Sequence, residues 1–232
     1  MLRIIGLGLD SGELTRKAEK ALKDAEKVYA EFYTNTETVD LEELEQRLDL
    51  SIEKLERSQV ERDDLILESS AERDTAFLVS GDPLTATTHY DIKHRAEHQG
   101  IETEVHHAPS IITSVNETGL NIYRFGRIVT LPADGRPESL IEHVEANDSI
   151  GLHTLVLLDI NYSADAAAAK LLEMGVDNRE AVVVERANSE DMKVTVSDLG
   201  EVAGSDLGEP PHSIVLTGEK SHMEEEFLEG HR

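Results

Sequence analysis

Short apolar runs alternate along this chain with segments whose apolar residues recur every three or four positions, the pattern of strands interleaved with amphipathic helices. Residues 2–5 form a strand-like run that leads into Gly6-Leu7-Gly8-Leu9-Asp10-Ser11-Gly12, a loop with three glycines. Leu14, Ala18, Ala21, Leu22 and Ala25 then share one helical face, with Thr15 or Ser11 available to cap it. A second strand is expected at 28–33, a helix at 40–48 with Leu41, Leu44 and Leu48 on one side, and another helix at 60–73. Thr75-Ala76-Phe77-Leu78-Val79 reads as a buried strand that stops at Ser80-Gly81-Asp82-Pro83. Helical spacing resumes over 85–99, Gly100 stands where a C-cap glycine belongs, and 101–107 reads as extended.

This alternation predicts a mainly parallel sheet covered by helices. Pro109 disfavours helix at Ala108 and marks a hinge. A second alternation follows it: helix at 110–118, strand at 128–131, helix at 137–146, an apolar strand at 154–160, helix at 164–174, and strands at 181–184, 194–196 and 213–217. The expected fold class is therefore α/β, with two α/β domains at 1–109 and 110–232 and mainly parallel or mixed sheets.

Composition narrows the partners. Leu, Ile, Val and Phe supply 62 of 232 residues, enough for a folded core despite 22 basic and 48 acidic residues and a net charge of −26. A surface so acidic repels nucleic acid and membrane headgroups alike, so neither is an expected partner. Arginine (13) exceeds lysine (9) and acidic residues intrude among the apolar positions of the helices, a pattern that suits high salt, where self-repulsion is screened. With no cysteine, thiolate nucleophiles, disulfides and cysteine-held metal clusters are excluded. No uncharged apolar run approaches membrane-spanning length, and a soluble cytoplasmic protein is expected.

Three constellations could carry chemistry. The glycine loop sits between a strand and a helix, where bare backbone can approach a ligand and amides can attract an anion; it departs from the G-x-G-x-x-G fingerprint and, taken alone, reads more readily as a plain tight turn. Asp82, on the Gly-Asp-Pro turn at a strand's carboxyl end, stands where open α/β sheets bind ligands, although it could also cap the next helix. Ala108-Pro109-Ser110-Ile111 continues to Gly119-Leu120 and Tyr123-Arg124-Phe125-Gly126, whose aromatics suit a site or packing between the halves. His94 and His98 stand four apart on a presumed helix face but lack a metalloenzyme pattern, so no metal is expected, and the absence of a G-x-S-x-G elbow argues against a serine hydrolase. His106 and His107 would point to opposite faces of a strand. Glu224-Glu225-Glu226 reads as a solvated helix face.

Taken in order, the blocks Ile5-Gly6-Leu7-Gly8-Leu9, Ala30-Glu31-Phe32-Tyr33-Thr34, Gly81-Asp82-Pro83-Leu84, Ala86-Thr87-Thr88-His89, His107-Ala108-Pro109-Ser110-Ile111, Thr118-Gly119-Leu120, Tyr123-Arg124-Phe125-Gly126, Gly151-Leu152-His153-Thr154, Leu158-Asp159-Ile160 and Gly208-Glu209-Pro210-Pro211-His212 carry a resemblance. They resemble the tetrapyrrole-methylase-like family of S-adenosylmethionine-dependent methyltransferases, and within it the diphthine-forming branch. The resemblance spans nearly the whole chain. It implies a cofactor cleft between two α/β domains and a homodimer. It implies cofactor contacts at Leu9, Asp82, Thr85, Ser110, Ile111, Leu158, Ala187 and His212, with no catalytic residue assigned. It also implies an acceptor: the amino group of a 3-amino-3-carboxypropyl side chain on a histidine of translation elongation factor 2. Asp10-Ser11-Gly12, Asn116-Glu117, residues 133–139, Asn161-Tyr162-Ser163 and Asn188 depart from the family pattern. A methylase acting on a tetrapyrrole, and a non-catalytic protein that keeps the fold, are the alternatives.

Overall fold

In the computed structural model, which describes residues 1–10, 13–33 and 39–232, the chain divides by its own contacts into Met1–Ile112 and Thr113–Arg232. The first unit contains β1 (Leu2–Gly6), α1 (Arg16–Lys23), β2 (Lys27–Glu31), α2 (Leu41–Leu48), β3 (Ile52–Lys54), α3 (Arg57–Glu61), α4 (Leu65–Glu72), β4 (Thr75–Val79), α5 (Tyr90–His98) and β5 (Thr103–His106). Its five strands lie in the order β3-β2-β4-β1-β5, and every pairing is parallel. Ile5, Ala30, Ala76 and Leu78 face α1 and α2, whereas Ile4, Tyr29, Phe77 and Val79 pack with Ile66, Leu67, Ile92 and Ala96 of α4 and α5. Both faces are covered, so these strands are apolar without alternation.

Ser11, one of the two expected caps of the first helix, lies outside the described residues. Thr15 fills the role, its hydroxyl accepting the Ala18 N–H at 3.1 Å. Two expectations need correction. The helix expected at 60–73 is two helices, because the Arg62 and Asp63 amides both turn back to the Ser58 carbonyl and end α3. The helix expected from Thr85 begins only at Tyr90. Thr85 is held by Asp82 through both its amide and its hydroxyl, and Ala86 adopts φ 55°, so 83–88 is a series of turns. Strand β3, at the sheet's edge, was not anticipated.

The turn α6 (Ile111–Ser114) runs across the division. The second unit continues with β6 (Val129–Leu131), α7 (Glu138–Asp148), β7 (Thr154–Leu158), α8 (Ala164–Glu173), β8 (Glu180–Glu185), β9 (Lys193–Asp198), α9 (Leu199–Val202), β10 (His212–Leu216) and α10 (His222–Glu229). Its sheet order is β6-β7-β10-β8-β9, with β6 parallel to β7 and the other three pairings antiparallel. The sheet is thus mixed, and both units are α/β. Ala164, Ala167, Ala168 and Leu171 bury one face of α8 against Val156, Val183 and Ile214, the small alanines letting the helix lie close to the strands.

The acidic tail corrects a third expectation: Glu224 is buried. Its Oε1 accepts the Asn121 N–H at 2.9 Å and its Oε2 the Ser221 N–H at 2.7 Å. His153, fully buried, accepts the Gly218 N–H on Nδ1 at 2.9 Å and turns Nε2 to Glu224 at 3.3 Å. One carboxylate thereby ties the start of α10 to the loop before β6 and to the strand region at His153. Burial opposes its charge, but these hydrogen bonds outweigh burial and hold its pKa at about 2.

Candidate active site

In the first unit, three loops leave the carboxyl ends of the adjoining strands β4, β1 and β5, the edge at which open α/β sheets bind ligands. They interlock through backbone. Gly8 and Gly81 form a bridge, the Gly81 amide donating to Gly8 O at 2.7 Å and the Gly8 amide to Gly81 O at 3.3 Å. A Cβ on Gly6 would stand 2.5 Å from Gly81 O and 2.8 Å from both Ala108 Cβ and Pro83 Cδ. Glycine at position 6 is therefore what allows all three loops to meet.

The loop carries its own anion. The Glu13 carboxylate accepts the amide hydrogens of Leu9 and of Asp10, the latter at 3.1 Å. Gly12, the third glycine, lies outside the described residues. The expectation of amides free to attract an anion is thus corrected at Leu9 and Asp10, and sequence reasoning missed Glu13 because an acidic residue before a helix has many uses.

Asp82 is buried and bound entirely by its own unit. Its Oδ1 accepts the Leu84 N–H at 3.0 Å and the Thr85 hydroxyl at 2.9 Å; its Oδ2 accepts from His107 Nδ1 at 2.7 Å and from the Ala108 N–H at 3.4 Å. Burial works against the charge, but the bonds from Leu84, His107 and Thr85 hold the carboxyl below its usual range. Of the expected site residues in this unit, Leu9 lies beside Gly81, Asp82 grips Thr85, and Ser110 is buried with Ile111 half-buried just beyond Pro109. His107, which the sequence offered without a role, is the residue that joins the Gly-Asp-Pro turn to the Pro109 loop. His106 is buried and His107 exposed, as the alternation of a strand requires.

Beside this edge, at the end of β2, Glu31 is fully buried and accepts the Tyr33 N–H at 2.9 Å. His89, also buried, contacts the Tyr33 hydroxyl at 3.2 Å and the Thr87 hydroxyl at 2.8 Å, with Glu31 Oε1 at 3.7 Å. Burial depresses the His89 pKa to about 4, and burial together with the Glu31 charge raises that of Tyr33.

In the second unit the other three expected residues share one edge. Leu158 ends β7, His212 opens β10 and pairs with Glu185, and Ala187 follows two residues after Glu185. The chain reaches His212 through a cis Pro210-Pro211 bond, and the Arg186 amide donates to Pro211 O at 2.9 Å. His212 is 5% exposed; its Nδ1 accepts the free N–H of Ala164 at the start of α8 at 3.0 Å, and its Nε2 is buried without a hydrogen-bond partner. Burial lowers its pKa against the pull of Glu185. A neutral ring with a fixed tautomer thus presents, near the Glu209 carbonyl, one buried N–H that makes no hydrogen bond among the described residues, and such a group calls for a partner.

Tyr123 is 92% exposed, and Phe125 meets the His153 ring edge-on at 5.4 Å. The His94 and His98 rings lie 4.3 Å apart, and among the described residues no group of three or more His, Cys, Asp or Glu is arranged to hold a metal ion.

Residues 1–203 match the family model of Tetrapyrrole (Corrin/Porphyrin) Methylases. The chain is 39% identical over 254 residues to a diphthine synthase of Halorubrum lacusprofundi, covering 99% of this chain and 96% of that protein. It is 35% identical over 263 residues to a diphthine methyl ester synthase of Schizosaccharomyces pombe, covering 98% and 93%. A crystal structure of diphthine synthase superposes with a TM-score of 0.94 at 33% identity, covering 100% of this chain and 96% of that one. Sequence blocks, two α/β units and these likenesses agree: the chain belongs to the tetrapyrrole (corrin/porphyrin) methylase family, in its diphthine synthase branch, and is a methyltransferase.

Proposed function

We propose that this enzyme transfers methyl groups from S-adenosylmethionine to the amino nitrogen of the 3-amino-3-carboxypropyl side chain on a histidine of elongation factor 2, forming diphthine. The observation that carries the reading is the 39% identity to a diphthine synthase across 99% of the chain. In this reading the cofactor contacts are Leu9, Asp82, Thr85, Ser110, Ile111, Leu158, Ala187 and His212. The domains are those of 1–109 and 110–232, and the enzyme is a cytoplasmic homodimer. Among the described residues no helix is long and apolar enough to cross a membrane.

The residues fit such a cofactor. The unused Nε2–H of His212 is a donor for a polar group of the nucleoside or its amino-acid tail. Bare backbone at Gly81 leaves space beside Leu9. Glu13 already neutralises two loop amides, which suits a nucleoside that carries no phosphate. Bound there, S-adenosylmethionine supplies an electrophilic methyl on a sulfonium sulfur. The protein's share is then to hold and align the partners and to exclude water, which accelerates a bimolecular transfer by ordering it beforehand.

Transfer of labelled methyl groups to elongation factor 2 carrying the unmethylated precursor tests the reading, with Asp82→Ala as the control. Label is expected with the wild type and far less with the variant. Equal label with both would refute the site; no label, or label in a corrin or porphyrin offered instead, would refute the acceptor.

A further inference from the structure

We propose that His107 is the catalytic base of this transfer, its Nε2 taking the proton from the acceptor amine while Asp82 acts as its positioning residue. The inference rests on the methyl transfer proposed above and adds to it the group that readies the nucleophile.

Its basis is the Asp82–His107 pair. An aspartate buried under a proline turn, already fixed by the Leu84 amide and the Thr85 hydroxyl, uses its other oxygen to hold His107 Nδ1 at 2.7 Å. The ring therefore donates from Nδ1, and in its neutral form the lone pair is on Nε2. The His107 side chain is 69% exposed, and among the described residues Nε2 has no partner. Asp82 is the charged group that the structure brings against the ring, and an adjacent carboxylate orients an imidazole and steadies the imidazolium it becomes. The neighbouring His106 does not compete, since it is buried with its Nε2 3.4 Å from Glu104. His107 follows β5 directly, so its ring stands at the carboxyl edge where the loops after β1 and β4 also lie.

The chemistry requires such a group. An aliphatic amine is mostly protonated at neutral pH and has no pair to offer. His107 Nε2 takes one proton from the ammonium, leaving a neutral amine and an imidazolium paired with Asp82. The amine pair then forms the N–C bond to the methyl carbon as the C–S bond breaks, its electrons remaining on sulfur as a thioether. The product nitrogen is a methylammonium, and the proton on Nε2 passes to water. Each further methyl on that nitrogen needs one more proton removed first.

The test compares full-length wild type, His107→Ala and His107→Gln between pH 6 and 10, using labelled transfer to the precursor-bearing elongation factor, with calorimetry of S-adenosylhomocysteine alongside. At pH 7 we expect both variants to lose about 100-fold or more in rate, the scale of general base catalysis, while product affinity stays within about threefold of wild type. The deficit narrows as rising pH deprotonates the amine in solution, and added imidazole restores part of the rate of His107→Ala. Nitrogen-15 NMR of the ligand-free wild type is expected to show the His107 hydrogen on Nδ1, and Asp82→Asn to lose that preference. A variant as fast as wild type at pH 7 overturns the proposal, as does a loss equal at all pH values without imidazole rescue, or loss of product binding. An inactive wild type would instead sink the acceptor assignment itself, and the base with it, whatever tautomer the ring shows.

Discussion

Nδ1 of His212 accepts the backbone N–H of Ala164 at 3.0 Å, so the ring's own hydrogen is on a buried and unused Nε2. One imidazole both caps the start of α8 and holds a donor in reserve. The two tasks are separable. His212→Asn keeps an acceptor near Ala164 but is too short to place a donor where Nε2 stands; its thermal midpoint should stay near wild type while affinity for S-adenosylhomocysteine falls about tenfold, the worth of a buried hydrogen bond. His212→Ala should lose both. Calorimetry and thermal melts of the two variants check this. Because burial keeps the ring neutral, wild-type affinity should not change between pH 6.5 and 8 on its account.

Gly6 is where the three loops of the first unit touch. Gly6→Ala would drive a methyl into Gly81 O, Ala108 and Pro83, two of those contacts being backbone or proline ring. A loss of about 2 kcal/mol or more is expected in denaturant unfolding, with cofactor binding lost in step. Gly204→Ala, whose new Cβ would find its nearest neighbour at 3.7 Å, should change stability by less than about 1 kcal/mol.

Glu224 sets an acid limb for the second unit. Its folded pKa of about 2 lies below the ordinary carboxylate value of 4.5, so its stabilisation is complete above about pH 4.5 and is lost as pH falls towards 2. The shift corresponds to about 3 kcal/mol. Unfolding free energies between pH 5 and 2 should fall more steeply for wild type than for Glu224→Gln, which should also be less stable at pH 7 because the Asn121 and Ser221 amides lose a charged acceptor.

His89 produces a separate window in the first unit. Its folded pKa of about 4 lies below the free value of 6.5, so the unfolded chain binds a proton that the folded chain refuses. Stability is therefore lost as pH falls from about 6.5 to 4, by up to about 3 kcal/mol. Histidine NMR titration should find one ring, packed edge-on against Phe77 at 5.2 Å, still neutral at pH 5. In His89→Gln the slope over that range should flatten.

A net charge of −26 on 232 residues destabilises the compact state by self-repulsion wherever salt does not screen it. Thermal midpoints should climb as KCl rises from about 0.1 M to 1 M, where the screening length drops from about 10 Å to about 3 Å. Equal stability in both would show that the acidity has another purpose.

The sequence makes the buried strands of the first unit easy to find, since a run such as Thr75–Val79 has no polar face to confuse the reading. The Gly-Asp-Pro turn and the Pro109 loop are legible for a similar reason, because glycine and proline restrict the backbone locally. What stays hidden depends on distant partners. Glu224 sits in a run of three identical acids; its spacing from Ser221 marks it as a capping-box residue, but its burial depends on Asn121 and His153, far away in sequence. Ile52–Lys54 has one half-buried residue and two exposed ones, so an edge strand leaves no periodic trace. The pairing of His107 with Asp82 spans 25 residues and exists only because β4 and β5 flank β1.

A carboxylate seated on the Leu9 and Asp10 amides places negative charge where other glycine loops offer bare N–H groups to a phosphate. A triphosphate or dinucleotide brought to this loop would meet like charge, so neither is expected to bind through it. An ample pool of ATP would then leave the proposed methyl transfer unhindered.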